Sequence, residues 1–137
     1  MLSRLGDAIP LDRVETVTDA DELIALQKEA ADVFVSEAVQ DYMVALVRAT
    51  REHAGLAMGA SPRATRGLYR AAKVWAAMEG RDYVLPDDVQ HLLLPVLAHR
   101  LVLTGEARFA GNTAAGILRE ICERVDVPQP LGAAHGE

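Results

Sequence analysis

The sequence predicts an all-α fold, a compact bundle of about five helices with at most two very short extended pieces. Three observations carry that expectation. Aromatic residues make up only 4% of the 137 residues, and β-branched residues come singly or in short groups, so long strands have little to be built from. Ala, Leu, Glu and Arg dominate the longer segments, which is the composition of helices. Apolar residues then recur at three- and four-residue spacing between recognisable helix starts. Half of the chain is apolar, enough for a core in one domain of this length.

Residues 1–17 hold Gly6, Pro10 and scattered apolar side chains, and read as a connection arriving from elsewhere. Thr18 before Asp19, Asp21 and Glu22 predicts the first helix, with Thr18 as its cap, because hydroxyls and carboxylates complement the unpaired N–H groups of a first turn. Leu23, Leu26 and Ala30 carry helical spacing through about Ala31. Val33–Phe34–Val35 is a short β-prone interruption. Ser36 caps the second helix, in which Val39, Tyr42, Met43, Leu46, Val47 and Thr50 form one stripe that ends near Gly55.

The third helix has the clearest start, with Ser61 as N-cap and Pro62 at the first helical position, where a missing N–H costs nothing. Leu68, Ala71, Ala72, Trp75 and Ala76 are its predicted inward face, with Trp75 as a core anchor, and Gly80 stops it. Tyr83–Val84 is a second extended piece. Pro86–Asp87–Asp88 opens a fourth helix that Pro95 is expected to kink or break. A last amphipathic helix begins near Thr113 and turns Ile117, Leu118 and Ile121 inward. The domain is thus expected over 18–128, with a loose tail over 129–137.

Charge is segregated along this layout. Residues 1–47 carry three cations and ten acids, residues 48–81 seven and two, and residues 82–137 four and eight; the nets of −7, +5 and −4 sum to −6. An acidic total disfavours general polyanion binding, yet the middle is basic. Arg63, Arg66, Arg70 and Lys73 fall at i, i+3, i+7 and i+10 on one face of the third helix. Arg63 lies beside the positive end of that helix, where guanidinium and exposed N–H groups together favour an anion such as phosphate. The commoner meaning of such a stripe is a solvated face whose arginine stems cover apolar surface.

Other chemistry is sparse. His53, His91, His99 and His135 have no acid or cysteine partners at metal-ligand spacing, so surface or capping roles are expected. Cys122 stands alone on the last helix as a small packing residue, which suits a reducing, cytoplasmic setting. The first-turn position of Asp87 and Asp88 accounts for them through the helix dipole. There is no phosphate loop, no nucleophile elbow and no HExxH. No catalytic constellation is complete, and no apolar run approaches the ~20 residues of a membrane span.

Three segments, VFVSEAVQDYMVALVRATREH (33–53), GASPRATRGLYRAAKVWAAMEGRDYVLPDDVQ (59–90) and PVLAHRLVL (95–103), make the run from Phe34 to Leu101 resemble the lid domain of MoxR-type AAA+ ATPases. The terminal GNTAAGILREICERVDVP is similar to the last helix of that family. The resemblance implies an ATPase module preceding the lid, which holds the phosphate loop, the Mg-coordinating acids and the arginine finger, so ATP and Mg are the expected cofactors of the intact protein. It further implies that Arg63, from GASPRA, is the second-sensor arginine reaching the γ-phosphate of ATP in the adjacent cleft, aimed by Ser61 and Pro62. Arg66, Arg70 and Lys73 gain no individual role, and a subunit interface or a solvent face is open for each.

Rings, often hexameric, chaperone-like maturation and von Willebrand A-domain partners are the family's implied assembly. Leu85 stands where a Thr or Ser cap is expected, which predicts a looser start to the fourth helix. The resemblance also implies that this piece alone does not hydrolyse ATP. The rival from another class is a stand-alone helical module whose basic helix grips nucleic acid. The acidic ends and the lack of aromatic residues among the basic positions speak against it.

Overall fold

A computed structural model describes residues 14–129. The order of elements is α1 (Ala20–Asp32), α2 (Glu37–Glu52), β1 (Leu56–Met58), α3 (Pro62–Met78), α4 (Pro86–Leu97) with a 3₁₀ turn at Ala98–Arg100, β2 (Val102–Leu103), α5 (Gly105–Phe109) and α6 (Ala114–Arg124). The all-α expectation holds. Of the connection expected over 1–17 only residues 14–17 are described, and of the tail over 129–137 only Gln129; His135 lies outside the described residues.

The core is built by the stripes that periodicity picks out. On α2, Val39, Tyr42, Met43, Leu46, Val47 and Thr50 are all buried. They meet Ala64, Leu68, Ala72 and Ala76 of α3, with Val89, Leu93 and Leu97 of α4 and Ile117, Leu118 and Ile121 of α6 closing the core. The α3 row is a pure i+4 ridge of three alanines and one leucine, each 0% exposed. Small side chains in such a ridge let the neighbouring helices approach closely. Burying Leu68 alone contributes about 2 kcal/mol. Tyr42 brings a hydroxyl to the α2 stripe: it accepts from Gln90 Nε2 at 2.9 Å, which ties α2 to α4.

The two expected extended pieces find each other. Phe34 and Tyr83 form a parallel bridge, with Phe34 N donating to Asp82 O at 2.8 Å and Val84 N to Phe34 O at 3.0 Å. Alternation does the sorting: Val33, Val35 and Val84 are buried, and Phe34 and Tyr83 face outward. A second, unexpected ribbon pairs β1 with β2 antiparallel, Leu56 opposite Leu103 and Met58 opposite Val102, across a register irregularity. Strands of three and two residues, and the five-residue α5, are too short for a period to show in the sequence.

Five expectations need correction. Asp19, not Thr18, caps α1: its carboxylate accepts from Glu22 N at 2.8 Å, and the Thr18 hydroxyl donates to the Glu22 side chain instead. Trp75 is only partly buried, stacked on His91 with ring centroids 4.4 Å apart, and so is not a core anchor. Ala71 likewise sits on the shoulder of the buried ridge. Pro95 does not break α4, which continues through it to Leu97 before tightening into the 3₁₀ turn. The start of α4 is not loose either, because Asp88 takes over the capping that Leu85 cannot provide, its carboxylate accepting from Leu85 N at 2.8 Å.

Candidate functional site

The chain returns from β1 against the last turn of α2 and at once begins α3. Gly59 is packed so tightly there that a Cβ would lie 2.5 Å from Thr50 O and 2.6 Å from Arg51 N, both backbone atoms that cannot yield. Ala60 and Ala64 are fully buried, so neither position has room for a longer side chain. Ser61 is the N-cap in extended conformation, and Pro62 occupies the first turn. Arg63 follows, exposed to solvent. Gly59, Ala60 and Ala64 of GASPRA thus seat the helix start against α2, and Ser61 and Pro62 are exposed beside the arginine.

The ion pairs among the described residues are Arg48–Glu52, His53–Glu120, Arg81–Asp88 and Arg124–Glu120, and Arg63, Arg66 and Arg70 take part in none. Arg66 and Arg70 border a groove of about 400 Å³ between α2 and α3, floored by Met43, Val44 and Tyr69. Lys73 is different. Its Nζ donates to the carbonyl of Ala31, closing the C-terminus of α1, and lies 5.5 Å from the centroid of the Tyr69 ring. Among the described residues the stripe therefore divides into three arginines without an ion-pair partner and a lysine with a structural contact.

The far end of α3 is built in the opposite way. Gly80 takes φ +71°, a left-handed turn that an L side chain resists, and Arg81 N donates back to Ala76 O at 2.8 Å. Arg81 then grips Asp88 with both arms, Nη1 to Oδ2 at 2.7 Å and Nη2 to Oδ1 at 2.6 Å, while Nη1 also donates to Tyr83 O at 3.0 Å. Burial alone would raise the Asp88 carboxyl, but the Arg81 guanidinium and the Leu85 N–H outweigh it and hold the group below the usual aspartate value. Burial pushes the Cys122 thiol up, in keeping with a packing role. The His53 ring is pinned by Gly55 N donating to Nδ1 at 3.1 Å, with Glu120 at 3.4 Å from Nε2. No group of three or more His, Cys, Asp or Glu among the described residues could hold a metal ion.

The profile of the AAA lid domain matches residues 48–121, a span running from the last turns of α2 through the arginine site into α6. The chain belongs to the AAA lid domain family, in its MoxR-type branch. Over 93% of its length this lid is 40% identical to the uncharacterized protein YeaC of Bacillus subtilis, and over 94% it is 36% identical to the chaperone MoxR1 of Mycobacterium tuberculosis. A crystal structure assigned as an ATPase, from Cytophaga hutchinsonii, superposes on 93% of the chain with a TM-score of 0.82 and 29% identity. The lid spans 40%, 36% and 42% of these three proteins respectively. The alternative of a stand-alone nucleic-acid module gains no support from these relatives. Among the described residues, no helix is long and apolar enough to cross a membrane.

The structure brings together Ser61, Pro62 and Arg63 as the sequence predicts, and leaves Arg66 and Arg70 one and two turns farther along the same helix. Sequence reasoning missed Thr50, Gly59, Arg81 and Asp88. Thr50 looks like one more member of an apolar stripe. Gly59 carried a signal, since a glycine just ahead of a capped helix start marks close backbone approach.

Proposed function

We propose that this lid senses nucleotide in an intact MoxR-type AAA+ ATPase, with Arg63 as its second-sensor arginine, contacting the γ-phosphate of ATP bound in the adjacent cleft. The supporting observation is the contrast within one helix: Arg63 is solvent-exposed at the helix N-terminus with no ion-pair partner among the described residues, on a start packed tightly at Gly59, Ala60 and Ala64. A guanidinium there, beside the unpaired N–H groups of α3, suits a phosphate oxygen, with Ser61 at the N-cap position and Pro62 opening the helix before it. In this reading the phosphate loop and the Mg ligands belong to an ATPase module outside residues 1–137, and residues 1–17 connect to it. The lid over 18–128 then supplies charge to the transition state rather than the reacting groups.

By the same reading the intact protein forms a ring, a hexamer in the family's usual form, works in the cytoplasm as a chaperone-like maturation factor, and engages von Willebrand A-domain proteins. Arg66 and Arg70 are then candidates for subunit contact. The test is turnover in the intact ATPase. Arg63→Ala lowers it at least tenfold, about 1.4 kcal/mol of barrier. Arg63→Lys recovers only part, because a point charge does not reproduce the planar fork. Arg66→Ala and Arg70→Ala are the controls. Equal loss in all three alanine variants, or loss in none, rejects the special role of Arg63. The 137-residue chain alone turns over no ATP; activity of the pure chain that a substitution within it abolishes would contradict the assignment of the reacting groups to another module.

A further inference from the structure

We infer that Thr50 is the positioning residue for Arg63. This rests on the sensor reading of Arg63 and concerns a residue that reading does not touch. Ser61 has the residue type and the backbone conformation of an N-cap, yet its side chain makes no capping hydrogen bond. The usual device that fixes the first turn of a helix is therefore absent at the turn that carries the arginine. Thr50 takes its place from another helix. Its side chain is 0% exposed, and its Oγ1 accepts from Ala60 N at 2.9 Å while donating to Val47 O at 2.6 Å. Both capacities of the hydroxyl are directed, so the side chain is held in one orientation.

Among the described residues this is the one side-chain hydrogen bond to the backbone of residues 59–63. It acts three residues ahead of Arg63, where the backbone of Gly59 already lies against Thr50 and Arg51. Together the hydroxyl and the glycine contact fix the direction in which α3 leaves α2. A buried threonine in a core stripe would be replaceable by valine if its task were packing. Here the hydroxyl has a defined partner on the segment that aims the arginine. Misplacing a contact group by a small distance is costly in turnover even where the fold survives.

The experiment is a double-mutant cycle in the intact ATPase, with turnover corrected for the folded fraction. Thr50→Val keeps the shape and removes the acceptor, and lowers turnover by at least about threefold, the loss expected when a contact group is misaligned. Thr50→Ser keeps the hydroxyl and restores most of that loss. In the Arg63→Ala background Thr50→Val has no further effect, because there is no guanidinium left to aim. An equal loss in both backgrounds, or full turnover in Thr50→Val, overturns the positioning role. Arg63→Ala with unchanged turnover overturns the sensor reading instead, so the two failures are distinct. Amide exchange at Ala60 in the unmutated chain provides a readout that does not depend on the variants folding. Protection equal to that of the α2 core is required, and exchange at the rate of an exposed loop overturns the proposal.

Discussion

The two ends of α3 each present an arginine, and the two are treated in opposite ways. At the C-terminal end Arg81 is mostly buried, forked onto Asp88 and bonded to a carbonyl, so its charge is consumed within the fold. At the N-terminal end Arg63 stands in solvent without an ion-pair partner among the described residues, while Gly59, Ala60 and Ala64 beside it are tightly packed. An arginine whose donors are satisfied internally holds elements together. One whose donors are left open on a rigid mount is available to a ligand. Residue type alone would not separate them; what differs is the number of internal partners.

Breaking the closed end has the largest expected effect. Arg81→Ala strands the buried Asp88 carboxylate and frees the junction of α3 with α4, and it costs about 3 kcal/mol, the low end for breaking a buried pair. Chemical denaturation of the 137-residue chain measures this. A change below about 1 kcal/mol would place the pair with exposed ion pairs, which contribute little.

The middle of α3 comes next. Trp75→Ala costs about 1–2 kcal/mol, less than the ~3–5 kcal/mol for a fully buried aromatic, because the ring is only partly buried and loses mainly its stack on His91. A loss of about 4 kcal/mol in unfolding free energy, measured by chemical denaturation, would return Trp75 to the core. Its misplacement shows where sequence legibility stops. The i, i+3, i+4, i+7 template admits Leu68, Ala71, Ala72, Trp75 and Ala76 together, whereas the packed ridge is the narrower i+4 row of Ala64, Leu68, Ala72 and Ala76. Periodicity locates a face to within one shoulder and cannot say which shoulder a neighbour covers.

Other features divide along the same line. The α2 stripe, Ser36, the Pro62 start and the Gly80 stop are local and periodic, and all are legible in the sequence. The role proposed for Arg63 rests on the resemblance of GASPRA, since a charge stripe by itself reads as solvated surface. The Arg81–Asp88 fork and the Thr50–Ala60 bond join residues seven and ten positions apart across helix ends, where no single helical or strand period runs from one partner to the other.

Acid separates the two ends further, with a smaller effect. The folded Asp88 carboxyl titrates below its unfolded value, so its stabilisation is complete above about pH 5 and is lost as pH falls through the depressed folded value. In Arg81→Ala the guanidinium is gone while burial still acts, which relieves the depression of the carboxyl. The stability gap between the chain and Arg81→Ala therefore narrows between about pH 5 and pH 3. A constant gap over that range, measured by denaturation midpoints, would mean that the pair is not what shifts Asp88.

The smallest expected effect is at the open end, and its sign matters more than its size. Arg63 sits in the first turn of α3, where the helix already presents partial positive charge and no acidic residue offsets it. For stability alone a cation is the wrong choice there. Arg63→Ala should therefore leave the isolated chain as stable as before or more stable, by up to about 0.5 kcal/mol, and the gain should shrink with added salt. Arg63→Glu, which matches the dipole, should gain slightly more. A residue that opposes the local electrostatics of its own helix, on a start that Gly59 and Ala60 otherwise optimise, has the profile of one retained for a ligand at some cost in stability. If Arg63→Ala destabilised the chain by more than about 1 kcal/mol, the guanidinium would have a structural partner after all, and the two ends of α3 would be alike.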